Sequence, residues 1–343
     1  MSKSSRAAGG LAVAFTVALA ALAVSSQAQA WGSTGHRFIG RLAVETLPAE
    51  VPAFLRTPRS AAKVGELARE PDRWKGSGKA HDSDLDPGHF MDLDDNGKIA
   101  GGLTLDSLPT TRAEYETALR AVGVDSWKAG YLPYSIVEGW QQLAKDFAFL
   151  RIDIAAAGTT KNAAHKAWFT VDAAERRELI LRDIGVLGHY VGDGSQPLHI
   201  SAHYNGWGPF PNPAGYTQDK VHAPFEGAFV RGFVTMAMVR ARMAPLHDCG
   251  CPIERRTADY LAATGQQTEP FYQLQKAGGF VDGDARGRAF AAERLAAGAN
   301  ELRDLIVLAW RASAQGDAGW PAAKVADVEA GRVDPYDSLV GVD

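Results

Sequence analysis

The chain predicts an all-α fold, and three observations point to it. Apolar residues recur at helical spacing in four long segments. No stretch alternates apolar and polar residues as a half-buried strand does. The segments between are loops rich in Gly, Pro and Asp. Taken in order, the first helix is expected over Arg37 to Leu47, with Phe38, Leu42 and Leu47 on one face and Pro48 ending it. A long apolar-rich helix is expected over Ser135 to Ala156. A third runs from Val171 to Tyr190, introduced by Thr170 and carried through Leu179, Ile180, Ile184 and Leu187. A fourth spans Ala291 to Ala312, with Leu295, Leu302, Leu305, Ile306 and Ala309 in phase. These read as one domain packed around a single core, over 31–343. Two long loops, Gly76 to Gly102 and Asn205 to Asp219, stand out, because structureless segments of that length are usually functional.

The first thirty residues differ from the rest. Lys3 and Arg6 form a basic start, Leu11 to Val24 is an apolar run, and Ala28-Gln29-Ala30 is a small-x-small cleavage signal. They predict a secretory signal peptide over 1–30, a mature chain starting at Trp31, and a secreted or periplasmic location. The apolar run is short for a membrane anchor, and no later segment approaches the roughly 20 apolar residues a span needs. Without Lys3 and Arg6, 34 basic residues face 40 acidic ones, a formal charge of -6. A protein that grips nucleic acid through its general surface is usually basic. Any affinity for phosphates must therefore come from a local source of positive charge, which bound metal could supply. Cys249 and Cys251 flank a single glycine. Export permits a disulfide there, the short ring opposes it, and two thiols alone make a poor zinc site.

The chemistry lies in the histidines. Of nine, five fall into an interpretable pattern. His189 and Asp193 are four apart near the end of the third helix, which puts them on one face. His199 follows the turn signal Gln196-Pro197. His222 and Glu226 repeat the four-residue spacing. His36 lies just inside the mature N-terminus, and His89 lies in the Asp-rich loop. Two such pairs on facing helices can project imidazoles and carboxylates into a bundle interior. Mixed His and Asp/Glu ligands suit zinc with open positions for water and substrate.

Two motifs extend this. Trp31-Gly32-Ser33-Thr34-Gly35-His36 opens the mature chain, and Gly188-His189-Tyr190-Val191-Gly192-Asp193-Gly194-Ser195-Gln196-Pro197-Leu198-His199 lies at its centre. With them the sequence resembles the zinc-dependent superfamily that contains the secreted S-one/P-one nucleases and the bacterial zinc phospholipases C, over Trp31 to about Ala312. The resemblance implies three zinc ions in a cleft. Asp72, His89, His189 and Asp193 would hold one, and His199, His222 and Glu226 the second. Trp31 (through its freed amino nitrogen and its carbonyl oxygen), His36 and the bridging Asp193 would hold the third. Three dications against Asp72, Asp193 and Glu226 leave about +3 locally. It further implies that Asp72 orients the attacking water and that Lys75, Phe90 and Asp92 contact substrate. Trp207 and Phe210 are candidates to line the cleft. His81, His165, His203 and His247 match no ligand position and read as surface or loop histidines.

By the same resemblance the activity is a nuclease acting as a monomer on single-stranded DNA and RNA or nucleotides, leaving 5′-phosphates, with 3′-nucleotidase activity as an extension. The Trp-Gly-x-x-Gly-His start and Asp72-x-x-Lys75 favour it, and Thr34 stands where choline-specific phospholipases carry Glu. A phospholipase C remains open, because the last ligand is Glu226 where nucleases usually carry Asp, and their Gly-Gly-Asn segment is missing. A non-catalytic zinc-binding protein is the third reading; a missing ligand would support it, and none is missing.

Overall fold

A computed structural model describes residues 31–341; the signal peptide expected over 1–30 lies outside the described residues. The architecture is all-α, with one two-stranded hairpin as its sheet among the described residues. Five helices carry it: α1 (Gly32–Glu45), α2 (Pro58–Leu67), α3 (Leu132–Thr159), α4 (Ala163–Asp193) and α5 (Ala285–Ser313). No described helix is long and apolar enough to cross a membrane.

Each expected helix is present but longer than its apolar periodicity, and at α4 and α5 a capping residue and not apolar spacing sets the start. α4 starts eight positions before the expected Val171. Asn162 caps it, its Oδ1 accepting the N–H groups of Ala164 and His165 at 2.9 and 3.3 Å. Thr170, read as a start signal, sits inside the helix and donates its hydroxyl to the Lys166 carbonyl at 2.7 Å. α5 begins at Asp284, which accepts the Arg286 N–H at 2.8 Å. α1 starts at Gly32, ahead of the expected Arg37, so His36 is already helical. α2 was not foreseen. Its signal is Thr57-Pro58, an N-cap followed by proline in the first turn.

α3 lies along α4, and α5 packs against α1, α3 and α4. Their inward faces, with Ile39, Leu143, Ile184, Leu187, Leu295, Leu302 and Ile306, form the main core. A second, smaller core, with Ile152, Phe169 and Val325, lies beneath the hairpin β1 (Asp317–Ala318) and β2 (Ala323–Lys324), which pairs antiparallel.

The arrangement that positions the site is the end of α4. Its last two turns are enclosed on nearly every side, so His189 and Asp193 are fully buried. Close approach makes this possible. A Cβ on Gly188 would lie 2.8 Å from Leu302, and one on Gly192 would lie 2.9 Å from Nδ1 of His36. Glycine at these two positions lets α5 and α1 reach the helix.

Candidate metal centre

Five segments deliver side chains to one place. α1 brings His36. The turn after α2 brings Asp72, in the short helix Glu70–Trp74. The Asp-rich segment brings His89, at the end of a 3-10 turn (Asp86–His89). The end of α4 and the turn after it bring His189, Asp193 and His199. His222 and Glu226 arrive at the start of a π-helical turn, Pro224–Phe229. The four-residue spacing thus survives in a helix wider than the expected α-helix.

Three groups of potential ligand atoms result: His36 with His189 and Asp193; Asp72 with His89 and His189; and His199 with His222 and Glu226. Asp193 turns Oδ1 to Nε2 of His36 at 3.4 Å and Oδ2 to Nε2 of His189 at 3.3 Å, the placement a bridging carboxylate needs. Nε2 of His222 stands 3.0 Å from Nε2 of His199 and 2.9 Å from Oε2 of Glu226, so three donors converge on one point.

The backbone sets which imidazole nitrogen faces inward. Nδ1 of His189 meets the Ala68 carbonyl at 2.9 Å, Nδ1 of His199 meets the His89 carbonyl at 2.7 Å, and Nδ1 of His89 meets the Asp86 carbonyl at 3.0 Å. An N–H held on Nδ1 leaves the Nε2 lone pair free, the orientation that outer partners impose on ligating histidines. Because the His89 carbonyl holds His199, the groups share one frame.

The residues fit a metal by what they leave unsatisfied. Nε2 of His36, His89 and His189, both carboxylate oxygens of Asp193 and Oε1 of Glu226 are buried without a hydrogen-bond partner. Burying such groups unpaired is costly, and native interiors rarely do it. Divalent cations are the partner this donor set suits. Titration agrees. Burial and neighbouring His189 push His36 down to about 4. Burial outweighs the pull of Asp72 and holds His189 at about 4. Burial and Lys75 hold His89 well below its ordinary value. All three are therefore neutral near pH 7, as ligands must be. Burial pushes Asp193 up to about 7. At Asp72 and Glu226 burial also pushes upward, but His189 and Lys75 at the first, and His222 at the second, overcome it and hold both carboxyls low.

Trp31 is fully buried at the head of α1. Its indole N–H donates to Oγ of Ser195 at 2.7 Å, two residues beyond Asp193, and its ring lies against Phe225. The N-terminal segment is thereby tied to both ligand-bearing turns.

Two of the groups reach a cleft of about 630 Å³, whose lining includes His89, His199 and His222; His36, His189 and Asp193 lie buried behind it. Lys75, Phe90 and Asp92 line it. Lys75 is not a solvated surface lysine: it is mostly buried and its ammonium lies 2.7 Å from Asp72. Burial pushes the Asp92 carboxyl up to about 7. Gly130 supports this edge; its φ is +73°, and a Cβ there would lie 2.0 Å from the Phe90 carbonyl oxygen.

Two expectations are corrected. Trp207 does not line the cleft. It is buried, stacked on His203 at 3.8 Å and packed against Tyr216 and Tyr272, while the partly exposed Phe210 meets the edge of His203. His203 is not a surface histidine: it is 3 % exposed, bridged between the Trp207 carbonyl at 2.6 Å and Asp95 at 2.7 Å. His81, His165 and His247 stay outside the three groups, as expected. Cys249 and Cys251 are joined as a disulfide away from the ligands.

Besides Phe90, two aromatics that the sequence did not single out line the cleft. They are Trp127, 55 % exposed, and Tyr204, 51 % exposed, with Lys128 beside them. The available signal was an aromatic set in a polar turn, Asp125-Ser126-Trp127-Lys128. Comparison of the chain with family models, curated proteins and solved structures finds no match.

Proposed function

We propose that this chain is an exported zinc-dependent phosphodiesterase that cleaves single-stranded DNA and RNA to 5′-phosphates. The supporting observation is the convergence of His36, Asp72, His89, His189, Asp193, His199, His222 and Glu226, with unpartnered ligand atoms, beside a cleft that His89, His199 and His222 line together with aromatic and cationic side chains. The freed amino nitrogen and the carbonyl of Trp31 would complete the third ligand set. Zinc bound there supplies Lewis-acid activation of water and charge neutralisation at the phosphoryl oxygens.

The chain's own residues do the rest. Asp72 is ionised and ion-paired to Lys75, so it can orient the attacking water by accepting a hydrogen bond from it. Lys75 and Lys128 offset phosphate charge at the rim. Phe90, Trp127 and Tyr204 offer faces on which bases stack, a sequence-tolerant way to hold a single strand, worth about 1–3 kcal/mol per base. Asp92, with its carboxyl near half-protonation at pH 7, can donate to or accept from a base edge.

The test assays purified mature protein, zinc supplied, on single-stranded DNA, RNA and a phosphatidylcholine dispersion, each with and without chelator. Chelator-sensitive release of 5′-nucleotides with intact lipid is the expected result. Lipid head-group release with intact nucleic acid would overturn it in favour of a phospholipase C, the reading to which Glu226 points. One tightly held zinc and no turnover would favour a non-catalytic role.

A further inference from the structure

The cleft does not carry one sign of charge along its length. Beyond Trp127 it continues into a cavity of about 560 Å³ lined by Asp82, Asp86 and Asp125, with Lys79 as the cation among its lining residues. On the other side, where the second ligand group ends, lies an open cavity of about 500 Å³ whose lining includes Asn205, Lys220 and Arg231 and no carboxylate. The two cavities adjoin the metal centre through consecutive residues. Tyr204 and His222 wall the central cleft, and their neighbours Asn205 and Ala223 wall the basic cavity. Oδ1 of Asn205 accepts the His222 N–H at 3.3 Å. Lys220 precedes His222 by two residues, and Arg231 follows Glu226 by five.

Lys220 and Arg231 are both exposed, and neither is in an ion pair among the described residues. Many surface cations of this acidic chain are otherwise occupied: Arg37, Arg69, Arg73, Arg255 and Arg311 each hold a carboxylate. Asp219, next to Lys220 in the chain, accepts from the Thr217 hydroxyl at 3.0 Å and does not pair with the ammonium, so two free cations beside the candidate ligands form a local anion site. An acidic wall on the opposite side repels what this side attracts.

We propose that Lys220 and Arg231 bind a backbone phosphate flanking the one that is cleaved, so that a polyanionic strand leaves the metal centre over this side and not past Asp82, Asp86 and Asp125. The inference rests on the reading that the substrate is a phosphodiester polymer. A small diester, with no flanking phosphate, does not reach these cations. Exposed cations act through screened attraction, so their signature is salt dependence. Each single-strand phosphate contact contributes a slope of about -0.7 in log affinity against log salt.

The experiment compares wild type with Lys220→Ala/Arg231→Ala on bis(p-nitrophenyl) phosphate and on single-stranded oligonucleotides at several salt concentrations. Thermal melting confirms that the variant folds. The expected result is an oligonucleotide KM raised about tenfold at low salt, a salt slope shallower by about 0.7–1.4, and an unchanged rate on the small diester. Unchanged oligonucleotide KM and slope, with wild type cleaving the oligonucleotide, overturns the phosphate site and leaves the nuclease reading standing. An equal loss on both substrates overturns it too, placing the effect at the metal centre. So does an oligonucleotide KM that responds to Lys79→Ala instead. If wild type cleaves the small diester with chelator sensitivity but no oligonucleotide, the polymer reading fails, and the phosphate site with it.

Discussion

Two regions of this molecule bury charge, and they resolve it in opposite ways. Against α5, Arg256 makes a paired contact with both oxygens of Glu301 at 2.7 Å each, reaches Asp304 at 3.2 Å, and donates to the His247 carbonyl at 2.9 Å. Arg303 binds Asp304 at 2.8 Å and the carbonyls of Ala244 and Pro245 at 2.7 and 3.0 Å. Two arginines balance two carboxylates, and the network ties the Ala244–His247 stretch to the core. At the metal centre the same residue economy is absent. Imidazoles and carboxylates crowd together, yet atoms of His36, His89, His189, Asp193 and Glu226 are left without partners. A satisfied network explains itself as structure. An unsatisfied one of comparable burial has room for a further partner, and its composition suits a cation. A third case marks the boundary of this logic. Both oxygens of Asp153 on α3 are also buried unpartnered, but no cluster of ligands surrounds it. Burial and neighbouring Asp172 push its carboxyl up to about 8, so protonation resolves the charge there.

The sharpest test of the contrast is His189→Ala. It should lower activity by more than about 10³-fold, release metal and lower the melting temperature, since metals joining α1, α4 and the turns contribute to folding. Metal analysis, turnover and thermal melting of the one variant check all three; an active, equally stable variant would break the assignment. Arg256→Ala should act in the opposite register, costing about 3–5 kcal/mol of stability by leaving the buried Glu301 carboxylate unpaired, while Asp304 keeps Arg303. Its metal content should stay at the wild-type value, measured beside a denaturation curve. Loss of metal would merge the two regions.

A smaller change separates Trp31 from the imidazole ligands. One extra residue before it removes the free amine, and metal at that position should weaken by at least the roughly 10–100-fold that loss of an outer partner costs. Metal stoichiometry by titration reads this directly, and unchanged stoichiometry and turnover would exclude the amine as a ligand. The narrowest effect belongs to Asp153→Asn, which lies outside the three ligand groups and should alter only how stability varies with pH. The folded carboxyl titrates near 8 against 3.8 for the ordinary group, so the folded state holds the proton more tightly. Its contribution to stability is full below the unfolded value and is lost as pH rises through about 8, at about 1.4 kcal/mol per unit at most. The variant should therefore gain on wild type in stability between pH 4 and 8, and melting curves that stay parallel across that range would refute the protonated state.

Two candidate ligand pairs were legible in the sequence because their spacing is local, whereas Trp31 and Asp72 entered only through the resemblance. His189 with Asp193, and His222 with Glu226, repeat every four residues, and that interval puts both side chains on one helical face wherever the helix goes. The all-α class was legible for the same reason, and helix ends were misjudged where a cap at Asn162 or Asp284 overrode apolar phase. Tertiary structure alone decided the partners. The carbonyls that orient His189 and His199 come from Ala68 and His89, 121 and 110 residues away. The burial of His203 under Trp207, the exposure of Trp127 and Tyr204, and the division of the cleft into an acidic and a basic side also depend on which loops meet. Periodicity records which face of an element is apolar; it carries no record of what that face will touch, because the contact is made by segments far apart in the chain.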